Sequence, residues 1–148
     1  DTVSLCLSKG LGVPLGSVLL GPSVVIERAR RLRKMLGGGM RQAGIIAAAG
    51  RYALQHNIGR LAQDHQRTQE LATALDGVQG LNFDRARVQT NMLFLQSPQM
   101  PALASYLAKR GIAITAIGES ARIVLHMQID NAALQQVVEA IQGFFDRK

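Results

Sequence analysis

Residues 4–21 read SLCLSKGLGVPLGSVLLG, and the fold turns on how this stretch divides. Val3, Leu5 and Leu7 alternate with Ser4, Cys6 and Ser8, the two-residue period of a β-strand, and the alternation stops at Lys9-Gly10-Leu11-Gly12. Gly16 to Gly21 then predicts a second short, buried strand bounded by glycines. Lys9 therefore sits where a strand gives way to a Gly-rich turn. A scaffold can hold a side chain beside a ligand at such a place, because glycines let backbone approach closely. On that context alone a solvated turn lysine is the stronger reading.

Working outward, Val25, Ala29, Leu32 and Leu36 fall at helical spacing over Pro22–Leu36, with proline at the start and Gly37-Gly38-Gly39 past the end. Met40 to about His56 predicts a second helix with Ile45, Ala48, Ala49, Tyr52 and Ala53 on one face. Ile58–Leu75 predicts a third, ended by Gly77 and Gly80. The period then changes. Val88–Leu95 reads as a strand, Pro101–Arg110 as a helix closed by Gly111, and Ile112–Ala116 and Arg122–Met127 as two more strands. Asp130 caps a last helix whose stripe is Leu134, Val137, Val138, Ile141 and Phe145. The expected class is α/β, passing to α+β in the C-terminal part. Residues 1–57 are expected to end a larger domain, and residues 58–148 to form a connecting helix and a small α+β domain. A strand at the first residues with one partner makes no stable sheet by itself, so an upstream half is expected.

Composition sets outer bounds. At 148 residues, 47% hydrophobic and 18% charged, the chain has the make-up of a soluble globular protein. No stretch approaches the roughly 18 apolar residues of a membrane span, and no signal-peptide pattern opens the sequence, so a cytoplasmic location is expected. Cys6 is the only cysteine, which excludes a disulfide within the chain. A net charge of +7 suits a polyanion, yet aromatic content of 4% without tryptophan leaves few rings to stack on single-stranded bases. Nucleic acid is thus a weakly supported partner. His56, His65 and His126 lack the spacing of a metal site, and no metal is expected; His65 reads as helix surface, His126 as strand and Cys6 as core.

Two segments carry a family resemblance. Residues 4–21 resemble the cofactor-lysine segment of the threonine aldolases: a serine before Lys9, two spaced glycines, a proline, and Gly-Ser leading into a strand. Lys34 to Gln42, KMLGGGMRQ, resembles that family's second characteristic segment. The resemblance implies a pyridoxal 5'-phosphate (PLP) lyase of the aspartate-aminotransferase fold type, of which this chain is the end of the large domain plus the small domain. It implies that Lys9 is catalytic and binds the cofactor as a Schiff base, that Lys34 and Arg41 line the cofactor region, and that Arg122 holds the substrate carboxylate. The reaction implied is cleavage of a β-hydroxy-α-amino acid such as threonine to glycine and an aldehyde, in a homo-oligomer whose missing N-terminal half supplies the rest of the site.

The residues leave alternatives open. Arg28, Arg30, Arg31 and Arg33 read as a solvated helix face. Lys34 and Arg41 differ in flanking the glycines, where a cation can meet a phosphate. Arg122 heads the apolar run Ile123-Val124-Leu125, where a water-facing edge arginine weighs equally with a carboxylate ligand. A function of another class, a catalytically inactive basic interaction module on the same fold, is the alternative to the lyase.

Overall fold

The alternation at the N-terminus forms a strand, as expected, and the structure pairs it antiparallel with the next. A computed structural model describes residues 1–146, and in it β1 (Val3–Cys6) pairs with β2 (Ser17–Leu20), Val3 opposite Leu20 and Cys6 opposite Ser17. This ribbon has two strands only. All four residues of β2 are exposed, which corrects the expectation of a buried strand. Apolar, glycine-bounded composition encodes the strand, but burial needs a layer packed on its face.

Helix α1 (Ser23–Met35) starts after Pro22 and buries no residue. It ends in a Schellman motif: Gly37 N–H donates to Lys34 O at 3.2 Å, Gly38 N–H to Arg33 O at 2.8 Å, and Gly37 adopts φ 83°. Helix α2 (Gly44–His56) begins four residues later than the sequence predicts. Gln42 at φ 49°, a left-handed conformation no helix interior accepts, explains the delay. The buried stripe of α2 keeps Ala49 and Ala53 of the expected face but not Ile45, Ala48 or Tyr52. Gly50 and Ala53, with Ile46 and Ala49 beside them, pack on Leu7, Leu11 and Val13, whereas Ile45 is 86% exposed and Tyr52 61%. An alanine-rich helix is apolar on several faces, so its partner selects the stripe. Gly50 suits that partner, because even a Cβ there would stand 3.3 Å from Leu7 Cδ1.

The chain divides into two compact units, Asp1–Leu61 and Ala62–Lys148. Arg147 and Lys148, which close the expected second domain, lie outside the described residues. The second unit contains α3 (Leu61–Leu75, from its second residue on), β3 (Met92–Gln96), α4 (Met100–Ala108), β4 (Thr115–Ile117), β5 (Ser120–Val124) and α5 (Asn131–Phe145). Its sheet runs in the order β3-β5-β4, antiparallel throughout. Leu93, Leu95, Ala121 and Ile123 bury one face of that sheet in a core shared with Leu71 and Leu75 of α3, Leu103 and Leu107 of α4, and the α5 stripe. Helix α5 starts as read, the Asp130 carboxylate accepting the Ala133 N–H at 2.8 Å.

All three strands of this sheet shift from their expected bounds. The strand expected from Val88 starts at Met92, because Asp84 caps a 3-10 turn over Arg85–Arg87. Strand β4 covers Thr115–Ile117, and Gly118 at φ 58° with Glu119 turns the chain into β5. Strand β5 ends at Val124, so His126 lies beyond it rather than in a strand, and Arg122 stands in its middle rather than at its head.

The packing yields a direct test. Ile141 is fully buried, and Ile141→Ala is expected to cost about 2–5 kcal/mol of stability in urea denaturation of the chain. Asp130→Ala, which removes only the α5 cap, is expected to cost about 1 kcal/mol.

Candidate active site

The loop that carries Lys9 is pinned on both sides. Leu7 N–H donates to Gly16 O at 3.0 Å, Val13 N–H to Leu7 O at 3.1 Å, and Gly12 N–H to Lys9 O at 2.9 Å. The last bond closes a tight turn over Lys9–Gly12, which Gly12 permits at φ 72°. Leu7, Leu11 and Val13 are buried, and Asn57 Nδ2 donates to Leu11 O at 2.7 Å. At Gly10 a Cβ would come within 2.7 Å of Leu61 Cδ2. Backbone and apolar neighbours are thus fixed while Lys9 stays exposed.

Cys6 is half-buried and outside the buried cluster, which corrects its reading as a core residue. Its Sγ lies 3.4 Å from Ser8 Oγ. Hydrogen bonding to Ser8 draws the thiol below its ordinary value, with smaller contributions from Ser17 and the Lys9 charge.

Lys34 ends α1 and folds back over the glycines. A Cβ at Gly39 would collide with Lys34 Cδ and stand 3.1 Å from Nζ, so the bare backbone of Gly39 is what the lysine side chain lies across. The sequence alone did not give this use of Gly39, since a Gly-Gly-Gly run reads equally as a helix stop. Arg41 follows on the irregular segment before α2 and is exposed. Among the described residues neither Lys34 nor Arg41 has a side-chain hydrogen bond or ion pair. Arg28, Arg30, Arg31 and Arg33 are exposed on α1, as a solvated face requires.

Arg122 belongs to the second unit, and Lys9, Lys34 and Arg41 to the first. On β5 it pairs with Phe94 of β3 on one side and Thr115 of β4 on the other, so it occupies the central strand and not an edge. Its side chain emerges on the exposed face of the sheet. The other described arginines of this unit are engaged. Arg67 donates to Asn131 Oδ1 at 2.9 Å, Arg85 to Asp76 and Thr73 at 2.8 Å each, Arg87 lies 4.0 Å from Asp84, and Arg110 stacks 3.5 Å over the Tyr106 ring. Among the described residues Arg122 alone of this set has no side-chain partner.

The histidines stand elsewhere. His56 stacks on Tyr52 at 4.4 Å, His65 is half-buried on α3, and His126 Nδ1 lies 3.4 Å from Gln128 N. Among the described residues no group of three or more His, Cys, Asp or Glu side chains could hold a metal ion. No helix is long and apolar enough to cross a membrane among them either.

Residues 1–98 match the family model of the beta-eliminating lyases. The chain is 42% identical over 149 residues to the low specificity L-threonine aldolase of Escherichia coli (strain K12), covering 99% of this chain and 44% of that protein. It is 38% identical over 148 residues to low-specificity L-threonine aldolase 1 of Arabidopsis thaliana, with 96% and 41% covered. It therefore spans less than half the length of these curated relatives. Among solved structures, Sphingomonas wittichii serine palmitoyltransferase superposes with a TM-score of 0.78 at 16% identity over 97% of this chain and 39% of that one. The aminotransferase TlmJ of Streptoalloteichus hindustanus gives 0.74 at 16% over 97% and 52%. Those structures share the aminotransferase-type fold, of which this chain carries a part. With the match running from β1 through Lys9, the Gly37–Gly39 segment and into β3, the chain belongs to the beta-eliminating lyase family.

Proposed function

We propose that this chain is part of a PLP-dependent lyase that cleaves a β-hydroxy-α-amino acid such as threonine to glycine and an aldehyde. In that reaction the Cα–Cβ bond breaks, the β-hydroxyl gives up its proton, and Cα takes one up. The observation that carries the reading is the pinned turn that exposes Lys9 inside the segment matched by the family model. The curated relatives named above, with their threonine aldolase activity, support it. On this reading Asp1–Leu61 ends a large cofactor-binding domain and Ala62–Lys148 is the small domain. The complete protein is then a cytoplasmic homo-oligomer.

The residues present suit PLP chemically. The first unit offers two amines, Lys9 and Lys34, and a free guanidinium, Arg41, next to a backbone bare of side chains at Gly37–Gly39. A primary amine matches the cofactor's aldehyde, and cations beside glycine match its phosphate. PLP supplies the aldehyde and the conjugated ring that takes up the electron pair of the broken bond.

The chain's own residues then have separate tasks. Lys9 Nζ would be the amine that holds the cofactor through its aldehyde, and when not so engaged it could carry a proton. The turn closed by Gly12 N–H keeps that amine from drifting, which matters because reacting atoms must stay near contact distance. Lys34 and Arg41 neutralise phosphate charge. Arg122 grips the carboxylate with its two parallel N–H donors.

Three outcomes are expected in the full-length protein. Lys9→Ala abolishes cleavage and the borohydride-stable PLP adduct that peptide mapping finds on Lys9 in the wild type; an adduct still formed elsewhere at full yield would remove Lys9 from the role. Gly39→Ala forces Lys34 aside and weakens PLP binding as Lys34→Ala does, while the unfolding midpoint stays near wild type, because the colliding atom belongs to a flexible side chain. Arg122→Lys keeps the charge and loses the fork, so kcat/KM falls by about 1.5–3 kcal/mol with PLP affinity intact. Wild-type kinetics on threonine, or PLP lost along with activity, would make Arg122 structural.

A further inference from the structure

The sheet of the second unit has one face in the core and one face outside, and strand alternation fixes which side chains share the outer face with Arg122. Phe94 and Thr115 are its direct neighbours, one on each flanking strand. Directly opposed residues have Cβ atoms about 4.5–5.5 Å apart, within reach of one shared ligand. Every other residue that β3, β4 and β5 place on that face is uncharged, so the guanidinium is the only charge those strands contribute to it, while Asp84 and Arg87 line the cleft beside Met92, Phe94 and Gln96.

Thr115 is exposed, and among the described residues its hydroxyl has no hydrogen-bond partner. Two threonines of α3 behave differently: Thr68 and Thr73 hydroxyls donate to the carbonyls of Asp64 and Gln69 at 2.7 and 2.8 Å. Phe94 is 59% exposed, and it lines an open cleft with Met92, Gln96 and Arg87 rather than entering the core. A carboxylate has two oxygens with about four acceptor sites, of which the guanidinium fork fills two. A hydroxyl beside the fork can fill a third. An aromatic ring on the other side removes water from the pair and so reduces screening.

We propose that Thr115 and Phe94 complete the carboxylate site around Arg122, the Thr115 hydroxyl as a third donor to the carboxylate and the Phe94 ring as its wall against water. The inference rests on the assignment of Arg122 to the substrate carboxylate. It adds to that assignment a donor and a wall on two different strands.

The experiment is steady-state kinetics on threonine with the full-length PLP-loaded protein, alongside calorimetric binding of glycine. Thr115→Val, which keeps the shape of the side chain, raises KM and the glycine dissociation constant about ten- to hundredfold with kcat within about twofold, as loss of a hydrogen bond to a charged group requires. Thr115→Ser restores both. Phe94→Ala raises KM and steepens its dependence on salt. A wild-type KM in Thr115→Val beside an impaired Arg122→Lys overturns the role of Thr115 and leaves Arg122 in place. An unchanged salt dependence in Phe94→Ala does the same for Phe94. If Arg122→Lys is itself wild type, the carboxylate assignment fails and this inference with it.

Discussion

The burial of Leu7, Leu11 and Val13 against the small-residue face of α2 is the constraint on which the first unit depends. Those three side chains alternate in sequence with Ser8, Lys9, Gly10 and Gly12, so anchoring them decides where the polar residues between them go. The backbone bonds from Val13 to Leu7 and from Gly12 to Lys9 are consequences of the same closure. Glycine is needed in the turn at Gly12, where φ is 72°, and on the helix at Gly50, where Leu7 comes close. A larger residue at either position would strain the turn or lift it from the helix. Packing a few ångströms away is therefore what fixes the Lys9 backbone.

The second unit reaches a similar end by another route. Its sheet alternates strictly, and the residues that face inward, Leu93, Leu95, Ala121 and Ile123, are held by three helices. A one-residue slip of β5 against its neighbours would bring Arg122 into the core and Ile123 out to water. Burial of a lone guanidinium is so costly that the apolar core enforces the register. The core thereby fixes the exposed arginine's place between Phe94 and Thr115, with no contact to the arginine itself.

Some of this was legible in the sequence and some was not, for physical reasons. The strands β1 and β2, the stop of α1 at Gly37 and the cap and stripe of α5 follow from local rules, because alternation, a left-handed glycine and an N-cap carboxylate act within a few residues. The face of α2 followed only in part. Ala49 and Ala53 were legible, but Ile45, Ala48 and Tyr52 read as well beside them as Ile46 and Gly50 do, and only Leu7 and its neighbours select between the two sets. The buried reading of β2 failed similarly, since a strand's composition does not say what lies over it. Arg122 was legible as an arginine at an apolar strand, but its place in the strand depended on the turn at Gly118 and Glu119, which moved the start of β5 two residues earlier. Gly39's contact with Lys34 could not be read from a run of three glycines, each of which is equally able to end a helix.

The distribution of charge separates cations that maintain the fold from cations available to a ligand. In the second unit Arg67, Arg85, Arg87 and Arg110 each meet a side chain or a ring, and such exposed contacts contribute little stability, typically about 0–1 kcal/mol each. They do, however, restrict those groups to their local partners. A guanidinium on the outer face of a central strand, flanked by a hydroxyl and an aromatic ring and, among the described residues, paired with no carboxylate, is under no such restriction. Its planar fork lies on a backbone stiffened by pairing on both sides, so the ordering cost when an anion arrives falls on the side chain alone, about 0.5–1.5 kcal/mol. Rigid placement without a resident partner is also the condition of Lys9 on its pinned turn. In each unit the apolar core fixes the backbone beneath a cation and leaves the charged end uncommitted, and an anionic or aldehyde ligand can then bind without first displacing an internal partner.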